Sequence, residues 1–191
     1  MRYMFNLINN LDGYILLFIQ HHMRSPFLTP VFKLLTDMGN SGLIWLIITI
    51  VLLCFKKTRS VGVAAFISLV VCFIINNEIL KNVIARPRPF TQLSQLNVLI
   101  QKPSDFSFPS GHTANSFAAA GAFFFYGNKK WGISALILAS FIGFSRLYLG
   151  VHYPSDVLFG ALLGMLISFT VSKAIIYYQS HHKVKALVNE K

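Results

Sequence analysis

Pro109-Ser110-Gly111-His112 follows a polar loop and opens an apolar segment that runs to Tyr126. A helix starting here presents unpaired backbone N–H groups and the positive end of its dipole. Ser110 is placed to cap that helix, and Gly111 lets a bound group approach the backbone. His112 falls in the first turn, where it can donate a proton to an anion held there. The plainer interpretation is an ordinary capped helix with a solvated histidine. The surrounding chain decides between the two.

Of the 191 residues, 54% are hydrophobic and only 12% are charged, a balance foreign to a soluble domain. Several apolar runs approach the length that crosses a bilayer, which predicts an all-α, polytopic membrane helical bundle. The net charge of +11 offers no soluble basic face for nucleic acid, because most of it falls in short loops and the tail. Cys54 and Cys72 lie within apolar runs and read as core residues, not as a disulfide or metal pair. No signal-peptide pattern opens the chain, since Asn9, Asn10 and Asp12 interrupt any apolar core.

About five transmembrane helices are expected, over roughly Ser41–Phe55 (starting near Met38), Val61–Leu80, His112–Tyr126, Trp131–Leu149 and Pro154–Tyr178. Residues 1–39 carry only short apolar patches, Tyr14–Ile19 and Phe27–Leu35. They predict two N-terminal amphipathic helices in the membrane interface, with a poorly formed first span as the alternative. The division expected is therefore 1–39 interfacial helices and 40–191 membrane core with a short tail. Lys56, Lys57, Arg59, Lys129, Lys130, Lys183 and Lys185 fall on one face, which the positive-inside rule makes cytoplasmic. The loops Asn82–Ser110 and Gly150–Tyr153 then share the extracytoplasmic face.

That outer face carries charges the topology rule does not explain. Lys81, Arg88 and Arg146 border the helical region, where an unpartnered charge costs about 2.5–3.5 kcal/mol. Acidic partners are few: Glu78, Asp105 and Asp156. Each cation alone reads as an interfacial anchor, but three on one outer face suit a polyanion. His152 and Asp156, four residues apart at the start of the fifth span, have the spacing of a base and its orienting carboxylate. A capping aspartate beside a surface histidine is the plainer alternative. A metal shell fits poorly, because these histidines have no carboxylate-rich neighbours. His21-His22 and His181-His182 read as interfacial and tail residues.

Three segments together resemble the signature of the type 2 phosphatidic acid phosphatase superfamily. They are Lys81 through Arg88-Pro89, then Pro109-Ser110-Gly111-His112, then Ser145-Arg146 with His152 and Asp156. The family pattern is a lysine, six residues and Arg-Pro; Pro-Ser-Gly-His; and Ser-Arg, five residues, His, three residues, Asp. Every position matches in order and spacing. Larger bacterial members have six spans, and by this count the first is absent here.

The resemblance implies a metal-independent phosphatase or diphosphatase of bacterial type, with no cofactor. In it His152 attacks phosphorus and becomes a phosphohistidine, Asp156 holds its tautomer, and His112 protonates the leaving oxygen and then activates water. Lys81, Arg88, Ser110, Gly111 and Arg146 are the expected phosphate-binding residues. The expected substrate is an outer-leaflet lipid phosphate in the bacterial plasma membrane, with undecaprenyl diphosphate first and phosphatidylglycerophosphate or phosphatidic acid next. Selectivity is expected in Thr91–Ser107 and the N-terminal helices. The related vanadium haloperoxidases are soluble, which argues against that activity here. A non-catalytic lipid-phosphate binder or transporter is the rival class, though it would have no need of two histidines and Asp156.

Overall fold

The computed structural model describes the backbone of residues 2–189 and the side chains of residues 7–181. The side chains of His182, Lys183 and Lys185 lie outside the described residues. The helices are α1 (Arg2–His22), α2 (Leu28–Gly39), α3 (Leu43–Cys54), α4 (Arg59–Phe73), α5 (Lys81–Ile84), α6 (Pro89–Gln92), α7 (Gly111–Phe125), α8 (Lys129–Tyr148) and α9 (Pro154–Asn189). No strand occurs among the described residues, and the molecule is an all-α bundle.

Its outer faces are apolar. Ile47 and Ile50 on α3, Ile133, Ile137 and Phe141 on α8, and Leu158, Leu162 and Leu166 on α9 all point outward. A bundle solvated by water would bury such residues; one solvated by hydrocarbon exposes them. Among the described residues, four helical stretches are long and apolar enough to cross a membrane: Leu28–Cys54, Arg59–Gln92, Lys129–Tyr148 and Pro154–His181. The third expected span is α7, whose 15 residues rise only about 22 Å, short of the ~30 Å hydrocarbon thickness.

That helix is enclosed by the others. It packs against α9, α8, α4 and α3, and Thr113 through Ser116 and Ala118 through Phe123 are all buried. Its small residues let the neighbours come close, as small side chains do between membrane helices. A Cβ on Gly164 of α9 would stand 2.4 Å from the Ala114 carbonyl oxygen. Across the same core the Trp45 indole Nε1 donates to Ser116 Oγ at 2.8 Å.

The first span differs from its expected limits. Helix α2 leads through a 3-10 turn, Asn40–Gly42, directly into α3, with Ser41 at φ 51° and Gly42 at φ 70°. The span expected over Ser41–Phe55, with a start near Met38, leaves out α2, where Lys33 and Asp37 interrupt the apolar residues. The end of the second span departs as well. Residues Ile74–Leu80 form a π-helix, a wider turn common at functional sites, which carries Asn76, Asn77 and the following Lys81 to the end of the bundle.

Candidate active site

The ends of α4 and α8 and the starts of α7 and α9 meet at one end of the bundle, opposite Lys56, Lys57, Arg59, Lys129 and Lys130. Between them lies a cavity of about 680 Å³. Lys81, Arg88, Gly111, His112, Arg146 and His152 all line it, although the chain separates the first from the last by 71 positions. Gly150 makes the turn that brings His152 there: its φ is +80°, and a Cβ on it would stand 3.2 Å from the Asn97 carbonyl oxygen.

His152 is buried, and its Nε2 lies 3.2 Å from Arg88 Nη1. A guanidinium only donates, so Nε2 accepts and the ring proton sits on Nδ1. That nitrogen faces Asp156 Oδ2 at 3.5 Å, an ion-pair distance that leaves Nδ1 without a closed hydrogen bond. The expected hydrogen bond is thus about 0.5 Å too long, as catalytic contacts often are before substrate tightens them. Burial pushes the His152 pKa down to about 3, with Arg88 and Arg146 adding to the effect and Asp156 opposing it. The imidazole is therefore neutral, with a lone pair on Nε2.

Asp156 reaches the site only through His152. Its Oδ2 accepts from Ser107 Oγ at 2.5 Å and from the Tyr153 backbone N–H at 2.9 Å. Its Oδ1 accepts from Arg86 Nη1 at 2.6 Å.

The cations are held differently from one another. Arg88 donates from Nε and Nη1 to the carbonyls of Asp105 and Val151, both at 2.8 Å, and from Nη2 to Asp105 Oδ1 at 2.6 Å. Lys81 pairs with the other oxygen of Asp105. Burial alone would raise the Asp105 pKa, but Lys81 and Arg88 win and hold it at about 2. Arg146 donates to Thr36 Oγ1 of α2, while its buried Nε has no hydrogen-bond partner among the described residues.

His112 stands in the first turn of α7 with Nε2 2.9 Å from Asn40 Oδ1. The ring therefore donates from Nε2 to an amide in the turn between α2 and α3. Gly39 makes this approach possible, since a Cβ there would stand 2.8 Å from His112 Cδ2. Ser110 departs from expectation. It occupies the N-cap position, but its side chain makes no capping bond. Its buried Oγ accepts from Thr113 Oγ1 at 2.9 Å instead, and Ser110 is not part of the cavity wall.

Sequence reasoning missed Thr36, Asn40, Asn77, Asn115 and Arg86. The first four line the cavity, and Arg86 stands behind it. A second Arg-Pro two residues before Arg88-Pro89, in a chain with six acidic residues, was the available hint for Arg86.

The chain is similar to several known proteins. An undecaprenyl-diphosphatase of Sulfolobus acidocaldarius is 39% identical over 126 residues, which cover 66% of this chain and 61% of that protein. A bacitracin transport permease protein of Bacillus licheniformis is 42% identical over 110 residues, covering 58% of this chain and 53% of that one. The chain thus spans between about half and three fifths of the length of these curated relatives. The crystal structure of a transmembrane PAP2-type phosphatidylglycerolphosphate phosphatase of Bacillus subtilis superposes with a TM-score of 0.73 at 30% identity, covering 88% of this chain and 86% of that one. The model of the PAP2 superfamily matches residues 57–181, which contain the buried histidine, its carboxylate and Lys81, Arg88 and Arg146. This chain belongs to the PAP2 superfamily.

Proposed function

We propose that this chain is an integral membrane lipid phosphatase working through a phosphohistidine. The carrying observation is the neutral Nε2 of His152, presented to a cavity that Lys81, Arg88, Arg146 and His112 also line. The Nε2 lone pair attacks the terminal phosphorus, its P–O bond to the leaving lipid alcohol or, in a diphosphate, to the lipid monophosphate breaks, and His112 gives a proton to the departing oxygen. In the second half His112 takes a proton from water, the water oxygen bonds to phosphorus, and the P–N electrons return to His152. Lys81, Arg88, Arg146 and the Gly111 amide neutralise the phosphoryl oxygens in both transition states. Asp156 balances the cationic ring of the intermediate. These cations supply what a metal supplies elsewhere, so the reading expects turnover without a cofactor.

The substrate proposed first is undecaprenyl diphosphate, on the extracytoplasmic face of a bacterial plasma membrane, ahead of phosphatidylglycerophosphate and phosphatidic acid. The cavity exceeds one phosphoryl group and extends to Lys33 on α2 and Lys102 in the long loop. Neither lysine pairs with a carboxylate among the described residues, so a second phosphate finds two cations there. Helix α1 suits the membrane interface, because Leu7, Leu11, Tyr14 and Phe18 form one exposed apolar stripe while Asp12, Leu16 and Ile19 are buried.

A binder or permease using the same pocket is the second reading, favoured by the name of the Bacillus licheniformis relative. Phosphate release in detergent with EDTA, across a panel of lipid phosphates and diphosphates, decides between them. The phosphatase reading expects release with every competent substrate and fastest release from the isoprenoid diphosphate. No release from any, with lipid still bound, would establish the binder.

A further inference from the structure

Arg86 takes no part in the cavity, yet it is one of the most heavily engaged side chains of the described structure. Its Nη1 donates to Asp156 Oδ1 at 2.6 Å and to Ser155 Oγ at 2.7 Å. Its Nη2 donates to Asp12 Oδ2 at 2.7 Å and to Asn9 Oδ1 at 2.8 Å, both on α1. The guanidinium carbon lies 3.9 Å from the centroid of the Tyr153 ring. Ala85, at φ 47°, ends α5 and turns the chain into this position. Asp12 also accepts from the Ser155 backbone N–H at 3.0 Å, at the start of α9.

We propose that Arg86 is a positioning residue for the His152–Asp156 pair, and that Asp12 of α1 sets Arg86 in turn. The inference rests on the functional reading above. Arg86 fixes Oδ1 of Asp156, and Ser107 and Tyr153 fix Oδ2, so the carboxylate cannot rotate away from His152 Nδ1. Charge balance points the same way. Two carboxylates, Asp12 and Asp156, face one guanidinium, which leaves one negative charge in a buried cluster. That surplus matches the positive charge the His152 ring acquires when Nε2 bonds to phosphorus. Stability alone is a weak reason for such a cluster, since buried ion pairs often give no net stabilisation over apolar packing. Through Asp12, helix α1 acts on the chemistry without touching the cavity.

The test uses the full chain in detergent with Arg86→Gln, Arg86→Lys, the near-isosteric Asp12→Asn and the double variant Asp12→Asn/Arg86→Gln. His152→Ala serves as reference. Arg86→Gln should lower kcat about 10²-fold, the scale of a small misplacement of a reacting group. Asp12→Asn should lower it by roughly 10-fold and reduce the phosphoenzyme burst. KM and the inhibition constant for inorganic phosphate should stay within about 3-fold, since Lys81, Arg88 and Arg146 are untouched. The double variant should be no slower than Arg86→Gln, because Asp12 acts through Arg86. Unchanged kcat, multiplicative losses in the double variant, or weaker phosphate inhibition in step with kcat would each overturn the assignment. Should Arg86→Gln not fold, Asp12→Asn and Arg86→Lys decide by the same criteria. Turnover surviving in His152→Ala would overturn the site itself and the positioning role with it. An inactive His152→Ala beside a fully active Arg86→Gln would sink the positioning role alone.

Discussion

Asp105 Oδ1 lies 2.6 Å from Arg88 Nη2 while its other oxygen pairs with Lys81, so one half-exposed carboxylate bridges two cations that line the cavity. In the proposed reaction a substrate phosphate competes with it for both. Asp105→Asn should therefore tighten inhibition by inorganic phosphate, by up to about 5-fold given the modest worth of a partly exposed pair. Weaker inhibition in the variant would mean that the carboxylate holds the cations in place for phosphate instead of competing with it.

The same pair sets an acid limit. The Asp105 pKa in the folded protein, about 2, is below the ordinary aspartate value of 3.8. A depressed carboxylate contributes stability above its unfolded pKa and loses it as pH falls through the folded one. The thermal midpoints of wild type and Asp105→Asn should differ near neutral pH and converge as pH drops from about 4 towards about 2. A difference that persists at the acid end would assign the effect to something other than this ionisation.

Some of the site could be read from the chain and some could not. The spacings Lys81–Arg88, Ser110–His112 and Arg146–Asp156 are local, each motif covering a helix end or the turn between two successive helices, so a sequence pattern carries them. Thr36 on Arg146, Asn40 on His112 and Asp12 on Arg86 join residues more than 70 positions apart. No local periodicity encodes such contacts. Ser110 failed as a cap because Thr113 supplies its hydroxyl partner, a competition one turn away that composition does not reveal. The apolar runs located the spans, but Lys33 and Asp37 hid the first half of Leu28–Cys54 by their charge; both line the cavity.

His152, the proposed nucleophile, should stay neutral over the working range. With the His152 pKa pushed to about 3, the ring keeps its lone pair from neutrality down to about pH 4. In ¹⁵N-histidine-labelled protein, the resonance assigned by its loss in His152→Gln should not shift over that interval. A midpoint near 6 would show that solvent or lipid headgroups reach the ring and relieve the burial.

Close packing of α7 on α9 gives a stability test away from the chemistry. Gly164→Ala would place a methyl 2.4 Å from the Ala114 carbonyl oxygen and 2.8 Å from the Ala118 amide nitrogen, and backbone cannot swing aside. The helices must separate, at a cost of about 1–3 kcal/mol. Thermal unfolding in detergent should show a lower midpoint. An unchanged midpoint would mean that α7 and α9 move apart at negligible cost.

Topology is checked by labelling. Cysteines placed at Lys57 and Lys129, after replacing Cys54 and Cys72, should be protected from an impermeant thiol reagent in intact cells. One at the exposed Gln95 should react if, as the positive-inside rule predicts, the cavity end lies outside. The reverse pattern would turn the cavity to the cytoplasm and remove an outer-leaflet diphosphate as substrate.

The two histidines should part company when the leaving group changes. His152→Ala has no nitrogen to form the P–N bond, so no substrate can restore a phosphoenzyme. His112 supplies a proton, a contribution of roughly 10²–10⁴-fold that shrinks when the leaving oxygen is a weak base. Nitrophenol leaves without protonation, so p-nitrophenyl phosphate should restore much of the phosphoenzyme burst in His112→Ala and none in His152→Ala. Steady-state turnover of His112→Ala should remain low, because water attack on the P–N bond still lacks its base; the burst is therefore the quantity to read. Asn40→Ala, which frees His112 Nε2 from its 2.9 Å partner, should resemble a mild His112→Ala on lipid monophosphates and give a wild-type burst on the nitrophenyl ester. A burst from His152→Ala with none from His112→Ala would reverse the assigned roles.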